Sequence, residues 1–424
     1  MELYNTFAAL LVLAAAFGYI NHRFLRLPST IGLMVLALAF SLTAVGMGNL
    51  GVTWVLKISR LLSGVDLHTL LIQVMLSFLL FAGAIHVDVR ALGAQRLPVA
   101  ALATIGTILS TALVGTFMYF VLPLLGVRLD LVYCLLFGAL ISPTDPIAVL
   151  GILKQARVNK NLEISIVGES LFNDGIALVL FVSLFQVALS GADDATASTM
   201  GRLFLREAGG GILLGLLLGY VTYVALRTID NYKVEVLITL ALVMGGTALA
   251  SSLHTSGPLS IVMAGLIVGH KGRGRGMSDI SREYLDKFWE ILDEILNAIL
   301  FVLIGLELLT LHLNRSILLL GAVAIVVVLV ARGMAVAVPL SFLRTRFDFN
   351  RPNLRVLTWG GLRGGISVAL ALSLPETMPR ELILGITYVV VVFSIVVQGL
   401  TIGPLVKKLG LSTPATEGEP VAEH

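Results

Sequence analysis

Charged residues and cysteine are both scarce in this sequence, and each shortage limits what the chain can be. Only 13% of the 424 residues are charged, whereas 57% are hydrophobic and the mean hydropathy is +0.96. A soluble domain has about 25% charged residues, so this chain could not cover a water-facing surface. The single cysteine, Cys134, excludes an intrachain disulfide. The composition therefore predicts an all-α polytopic membrane protein.

Motifs for nucleotide and metal chemistry are also absent. The sequence has no GxxxxGK[ST] phosphate-binding loop, which argues against an ATP-driven pump, and it has no Cys/His cluster for a resident metal. We therefore expect a protein that is not an enzyme, needs no cofactor and binds neither nucleotide nor nucleic acid. Residues 5–20 are apolar without a clear cleavage site after them, so we expect a retained first helix in contact with membrane lipids.

Apolar runs, separated by charge clusters and Gly/Pro positions, predict about thirteen transmembrane helices. They lie near 3–21, 29–46, 66–87, 98–124, 130–153, 162–190, 207–227, 233–252, 257–270, 284–310, 315–342, 354–374 and 381–406. Residues 1–411 thus form a single membrane unit, and the polar residues 412–424 predict a C-terminal tail.

Basic residues alternate between the loops that these spans define. With the N-terminus outside, the inner segments hold 20 of the 29 lysines and arginines, and the outer segments hold 7. The remaining two, Arg332 and Arg363, fall within spans. The positive-inside rule therefore predicts an outside N-terminus and a cytoplasmic C-terminus.

The sixth span carries charge where a membrane helix is normally apolar. Its first part contains Glu169, Ser170, Asn173 and Asp174. At helical spacing Glu169 and Asn173 share one face, and Ser170 and Asp174 share the neighbouring face. An ionisable group at this depth is costly and usually marks a transport path or a relay. We expect Asp174 to be the carboxylate that exchanges a cation or a proton.

Two other spans are interrupted by polar, helix-breaking sequence. The fifth contains Ser142-Pro143-Thr144-Asp145-Pro146, in which two prolines remove backbone donors. The twelfth contains four glycines around one arginine in residues 360–365. Paired interruptions of this kind indicate the binding site of a secondary transporter. Asp145 and Arg363 could neutralise the dipoles of the half-helices.

Several polar residues in the spans have more than one interpretation. We expect Glu169 and Arg332 to form a buried structural ion pair bridged by the amide of Asn173. Asp145 is a ligand, a half-helix cap or a partner of Arg363, and Thr144 offers the ion an oxygen or bonds back to its own helix. Polar residues of the last span such as Ser394 and Gln398 are, by default, ordinary helix-packing groups.

The motif Gly168-Glu169-Ser170-Leu171-Phe172-Asn173-Asp174-Gly175 resembles NhaP-type sodium/proton antiporters of the monovalent cation:proton antiporter-1 (CPA1) family, which are related to animal sodium/proton exchangers. The segments 142–146, 301–306 and 361–365 are similar to further family signatures in the same order. The resemblance covers most of the chain.

This resemblance implies an NhaA-like inverted-repeat fold with two broken, crossing helices, in a prokaryotic plasma (inner) membrane. It implies a homodimer whose six-helix transport domain, including about 98–190 and 315–406, moves like an elevator. Na⁺ or H⁺ would bind at Asp174, with Ser170 and Thr144 as oxygen ligands and Asp145 close by. Glu169, Asn173 and Arg332 would form the structural bridge, and Arg363 would stabilise the crossing of the broken helices.

The expected activity is electroneutral exchange of one Na⁺ or Li⁺ for one proton, which the family associates with an Asn-Asp pair. One position departs from the pattern, because some relatives have a glutamate where this chain has Ala82. The preference of the site for Na⁺ or K⁺ is therefore open, and K⁺/H⁺ exchange is the alternative function within the same fold. A cation channel lined by Asp174 is the alternative from another class, which the two broken helices argue against.

Overall fold

The computed structural model describes residues 2–49, 75–145, 149, 153, 158–190, 197–270, 277–311, 314–343 and 351–411. Its regular elements are all helices, and these ranges contain no β-strand. The helices are α1 Glu2–Ile20, α2 Ser29–Asn49, α3 Leu76–His86, α4 Val89–Ala94, α5 Arg96–Leu125, α6 Leu131–Ile141, α7 Lys160–Ser190, α8 Ala197–Phe204, α9 Gly210–Arg227, α10 Tyr232–Ser252, α11 Gly257–Ile267, α12 Asp279–Glu307, α13 Arg315–Leu343, α14 Arg351–Trp359, α15 Gly365–Leu372 and α16 Arg380–Lys408.

The prediction of an all-helical membrane protein is confirmed. Eight helical segments of the described chain are long and apolar enough to cross a membrane, and α3, α6 and α11 are shorter apolar helices. Described helix occupies part of every predicted interval, including α12 and the α14–α15 pair. The number of thirteen spans stays a prediction, because several of these segments are half-helices or too charged to be counted as spans.

Small residues allow the helices to approach closely. A Cβ at Gly138 of α6 would collide with the backbone carbonyl of Thr111 in α5, and one at Gly115 would meet Leu135. On α9, a side chain at Gly215 would collide with the carbonyl of Ser260, at the start of α11. In a membrane, such contacts replace the hydrophobic effect as the main force between helices.

Helix α7 lies at the centre of the polar region. Gly168 leaves room for Leu92 and Val99, and Gly175 leaves room for Leu259 of α11. Substitution at either glycine would push α7 away from these neighbours. The close packing fixes the rotation of α7 and therefore the directions in which its polar side chains point.

Helix α12 combines an amphipathic first half with an apolar second half. Ser278 caps its N-terminus, and the indole N–H of Trp289 donates to the hydroxyl of Thr239 at 3.1 Å. Further along, the carbonyl of Gly305 accepts a hydrogen bond from Ser41 of α2 at 2.9 Å. These contacts hold α12 against α10 at one end and α2 at the other.

Candidate cation-binding site

The two interrupted spans meet at their breaks. Helix α6 ends at Ile141, and residues 142–145 are not helical; α14 ends at Trp359, and α15 begins at Gly365. The backbone N–H of Asp145 donates to the carbonyl of Leu362 at 2.8 Å, so the two non-helical segments contact each other directly. The interruptions lie where the prolines and glycines predicted them; Pro146 itself is outside the described residues.

Two side chains of opposite charge lie at this contact. The guanidinium of Arg363 donates to the carbonyls of Ser142 (2.5 Å) and Pro143 (3.1 Å), just beyond the C-terminus of α6. The carboxylate of Asp145 lies against Gly364, immediately before the N-terminus of α15, where a Cβ would collide with it. A cation at a helix C-terminus and an anion at an N-terminus both oppose the helix dipole.

The last span supplies hydrogen bonds that the broken helix lacks. The hydroxyl of Ser394 accepts from the backbone N–H of Arg363 at 2.8 Å and donates to Gln398 at 2.6 Å. The amide of Gln398 donates to the carbonyl of Trp359 at 2.9 Å. Ser394 and Gln398 are therefore not ordinary packing groups, because they satisfy backbone groups on both sides of the break. Their polarity in an apolar span was the available sequence signal.

Thr144, in the interrupted segment, is held by two side chains of α7. Its hydroxyl lies 2.8 Å from that of Ser170 and accepts a hydrogen bond from the amide nitrogen of Asn173 at 2.7 Å. The Asn173 amide oxygen in turn accepts from the Thr144 backbone N–H at 3.4 Å. All three residues are at most 2% exposed. This arrangement supports a backbone that has no helical partner of its own.

Glu169 and Arg332 form a salt bridge between α7 and α13. Both terminal nitrogens of Arg332 donate to the two carboxylate oxygens of Glu169, and Arg332 Nη2 also donates to the carbonyl of Leu357 in α14 at 3.1 Å. The Asn173 amide, which we expected to bridge this pair, is hydrogen-bonded to Thr144 instead. Arg332 already binds both oxygens of Glu169, whereas the interrupted backbone at Thr144 needs a donor and an acceptor.

Asp174 is surrounded differently from Glu169. Its side chain is 5% exposed, and its Oδ1 is buried without a hydrogen-bond partner among the described residues. Asp145 lies near enough to act on it electrostatically. A buried carboxylate with an unused oxygen needs a proton or a cation to compensate its charge.

A large cavity leads to this carboxylate. It has a volume of about 1650 Å³, and Thr144, Asp145 and Asp174 lie on its wall together with Gly364. Ser170 contacts the Thr144 hydroxyl, on the side of that residue where α7 packs. The structure thus places three of the four predicted ligands along the cavity and places the fourth against Thr144.

His86, Asp88 and Lys160 line the cavity where α3 ends and α7 begins, and all three are exposed, so the mouth of the cavity lies at this end of the bundle. Asp88 caps α4 by accepting from the N–H groups of Arg90 (2.9 Å) and Ala91 (3.2 Å). The hydrogen bond from Ala91, and then that from Arg90, holds the pKa of Asp88 below its ordinary value. Asp88 is therefore ionised at neutral pH.

Sequence reasoning missed one wall of the cavity. The amphipathic half of α12 lines it with polar side chains at helical spacing, namely Asp286, Glu290, Asp293, Glu294 and Asn297. The positions 286, 290, 293 and 297 recur every three or four residues, which is the signal that one face of a helix is polar. Ala82 of α3 lines the same cavity as an apolar residue.

Comparison with known proteins identifies relatives along almost the whole chain. Residues 11–408 match the profile of the family described as "Sodium/hydrogen exchanger, transmembrane". A protein of Pseudomonas aeruginosa named Na(+)/H(+) antiporter NhaP is 49% identical over 422 residues, covering 97% of this chain and 98% of its own. The Na(+)/H(+) antiporter NhaH of Halobacillus aidingensis is 38% identical over 345 residues, covering 80% of this chain and 83% of its own.

A solved structure has the same fold. The sodium proton antiporter MjNhaP1 from Methanocaldococcus jannaschii superimposes with a TM-score of 0.76, covering 97% of this chain and 100% of that one, at 22% sequence identity. At this identity the comparison establishes the fold.

Proposed function

The chain belongs to the transmembrane sodium/hydrogen exchanger family, and we propose that it is a secondary-active antiporter that exchanges Na⁺ or Li⁺ for protons. Members of such a family are multi-pass membrane transporters and not enzymes. The relatives from Pseudomonas and Halobacillus are both named as Na(+)/H(+) antiporters. We expect a prokaryotic plasma membrane, lipid surroundings and no cofactor.

One observation carries the assignment of the site. The Asp174 carboxylate is buried, has an unused oxygen and lies on the wall of the cavity beside the interrupted segment at Thr144 and Asp145. Na⁺ and Li⁺ prefer hard oxygen ligands, as other hard cations do. We propose that the cation binds Asp174 and an oxygen of Thr144, with Asp145 close by. Ser170 then contributes directly or by orienting the Thr144 hydroxyl.

Exchange follows if the cation and the proton compete for one carboxylate. When Na⁺ binds, Asp174 loses its proton, and when a proton binds, the cation leaves, so the two ions are coupled in opposite directions. Asn173, which precedes Asp174, has no titratable group. We therefore propose that one cation exchanges for one proton without net charge movement.

The cavity supports an alternating-access cycle. By the distribution of basic residues its mouth, at His86 and Lys160, faces the cytoplasm, with the N-terminus outside and the C-terminus inside. We propose that this is the inward-open state and that a six-helix transport domain, including about 98–190 and 315–406, slides like an elevator against a dimerisation domain of a homodimer. Arg332 and Arg363 then keep α7, α13 and the broken helices together as that domain moves.

The test is exchange in proteoliposomes containing a pH-sensitive dye. Addition of Na⁺ or Li⁺ should dissipate an imposed pH gradient with wild-type protein, and Asp174→Asn should reduce the rate to that of protein-free liposomes while leaving the folded yield unchanged. Wild-type rates with Asp174→Asn would refute the site. Clamping the membrane potential at different values should not change the rate if exchange is electroneutral.

K⁺/H⁺ exchange is the second candidate, because Ala82 lines the cavity as an apolar residue and offers no oxygen ligand that would favour Na⁺. Equal concentrations of Na⁺, Li⁺ and K⁺ in the same assay separate the two activities. Current through single molecules in a planar bilayer would instead indicate a channel.

A further inference from the structure

Asp293 and Asn297 of α12 face the cavity and take no part in the site described above. They are four residues apart, so they lie on the same side of the helix. Asp293 Oδ1 and Asn297 Oδ1 are both buried and have no hydrogen-bond partner among the described residues. Two unused acceptors side by side form a place that attracts a cation.

The orientation of Asn297 is fixed by a hydrogen bond. Its Nδ2 donates to the backbone carbonyl of Asp293 at 2.8 Å and also interacts with the Asp293 carboxylate, so the remaining amide atom, Oδ1, is the acceptor that has no partner among the described residues. The side chain is 3% exposed. A buried amide with a fixed and unused carbonyl oxygen is unusual, because such groups normally have a partner.

These residues lie between the cavity mouth and Asp174. Leu300 of α12 contacts Gly365, next to the position where Asp145 lies against Gly364. With a rise of 1.5 Å per residue, Asn297 lies about 5 Å and Asp293 about 10 Å from Leu300 along the axis of α12. Asp286, which pairs with His86 at 4.0 Å, is a further two turns towards the mouth. Asp145 nevertheless acts electrostatically on Asp293, so the two carboxylates are near each other.

We propose that Asp293 and Asn297 form a second cation-binding site, one that a monovalent cation occupies on its way between the mouth and Asp174. No group of three or more His, Cys, Asp or Glu side chains among the described residues is placed to hold a metal ion, which disfavours a divalent cation. One carboxylate oxygen, one amide oxygen and water suit a weakly held Na⁺ or Li⁺. The identity of the ion rests on the proposed function, whereas the existence of the site rests on the two unused oxygens.

Binding can be measured without transport in purified protein that carries Asp174→Asn. In this background NaCl should still raise the melting temperature above that in choline chloride of equal ionic strength, because a ligand that binds only the folded state stabilises it. Adding Asp293→Asn should abolish this difference. Glu294→Gln is the matched control, since it removes the neighbouring carboxylate from the same cavity but that side chain is exposed, and it should preserve the difference.

Transport provides the second measurement, with Asp174 intact. Asp293→Asn should raise the half-saturating Na⁺ concentration roughly fivefold to tenfold, the equivalent of one charge-assisted contact, while Glu294→Gln changes it less than about twofold. Asn297→Ala should also raise the half-saturating Na⁺ concentration. It tests the proposed site on its own if Asp293→Asn does not fold. The proposal is overturned if these variants behave like Glu294→Gln in both measurements. Absence of exchange in the wild-type protein as well as in all variants, with Na⁺ binding retained, would overturn the transport function and not the site.

Discussion

Glu169 and Asp174 lie on one helix, about 1.4 turns apart, and are both almost fully buried, at 1% and 5% exposure. The two carboxylates differ in their hydrogen-bond partners. Glu169 has both oxygens bound by Arg332, whereas Asp174 has a buried oxygen with no partner in the described structure and lies on the cavity wall. Burial alone therefore does not distinguish these two carboxylates; the presence of a permanent partner does.

The largest expected effect is on folding, from breaking the Glu169 pair. Glu169→Gln or Arg332→Gln alone leaves one buried charge without compensation, which costs roughly 3–5 kcal/mol for a buried pair. We expect both variants to lose most of their folded yield and to melt at a lower temperature in detergent. Size-exclusion chromatography after heating measures both the folded yield and the melting temperature. Asp174→Asn should keep the wild-type yield.

The double variant Glu169→Gln/Arg332→Gln is the control for this comparison. It removes both charges, so it should be less damaging than the sum of the two single changes. If the single variants purify in normal amounts and change only the affinity for Na⁺, Glu169 and Arg332 are ligands and the contrast with Asp174 is lost.

The second prediction concerns the pH dependence of Na⁺ affinity and applies to Asp174. If Na⁺ and H⁺ compete for Asp174 alone, the half-saturating Na⁺ concentration should rise as the pH falls, by up to about tenfold per pH unit once the site is mainly protonated. The maximal rate should change less. Exchange rates at several Na⁺ concentrations between pH 6 and 9 measure this dependence. A half-saturating concentration independent of pH would show that the proton is carried elsewhere.

Much of this contrast was predictable from the sequence, but two features of the site were not. Helical spacing placed Glu169 and Asp174 on different faces of α7, and Arg332, one of the two arginines that fall within spans, was expected to be the partner of Glu169. The direction of the Asn173 amide could not be predicted, because it depends on the unsatisfied backbone at Thr144 in another span. The cavity wall of α12 was missed for a similar reason. The spacing of its acidic side chains defines a polar helix face, and only the packing of α12 against α3 and α15 shows that this face lines the cavity.

The smallest expected effect distinguishes a direct ligand from a residue that orients one. Thr144→Val removes the hydroxyl that is hydrogen-bonded to Ser170 and Asn173. Because both partners then lose a hydrogen bond, we expect the free energy of Na⁺ binding or of unfolding to fall by roughly 1–3 kcal/mol. Ser170→Ala removes only the hydroxyl that lies against Thr144. It should raise the half-saturating Na⁺ concentration by no more than about threefold, with Asn173 still holding Thr144 in place. Equal effects of the two substitutions on Na⁺ affinity, with unchanged melting temperature, would instead place the Ser170 hydroxyl on the ion.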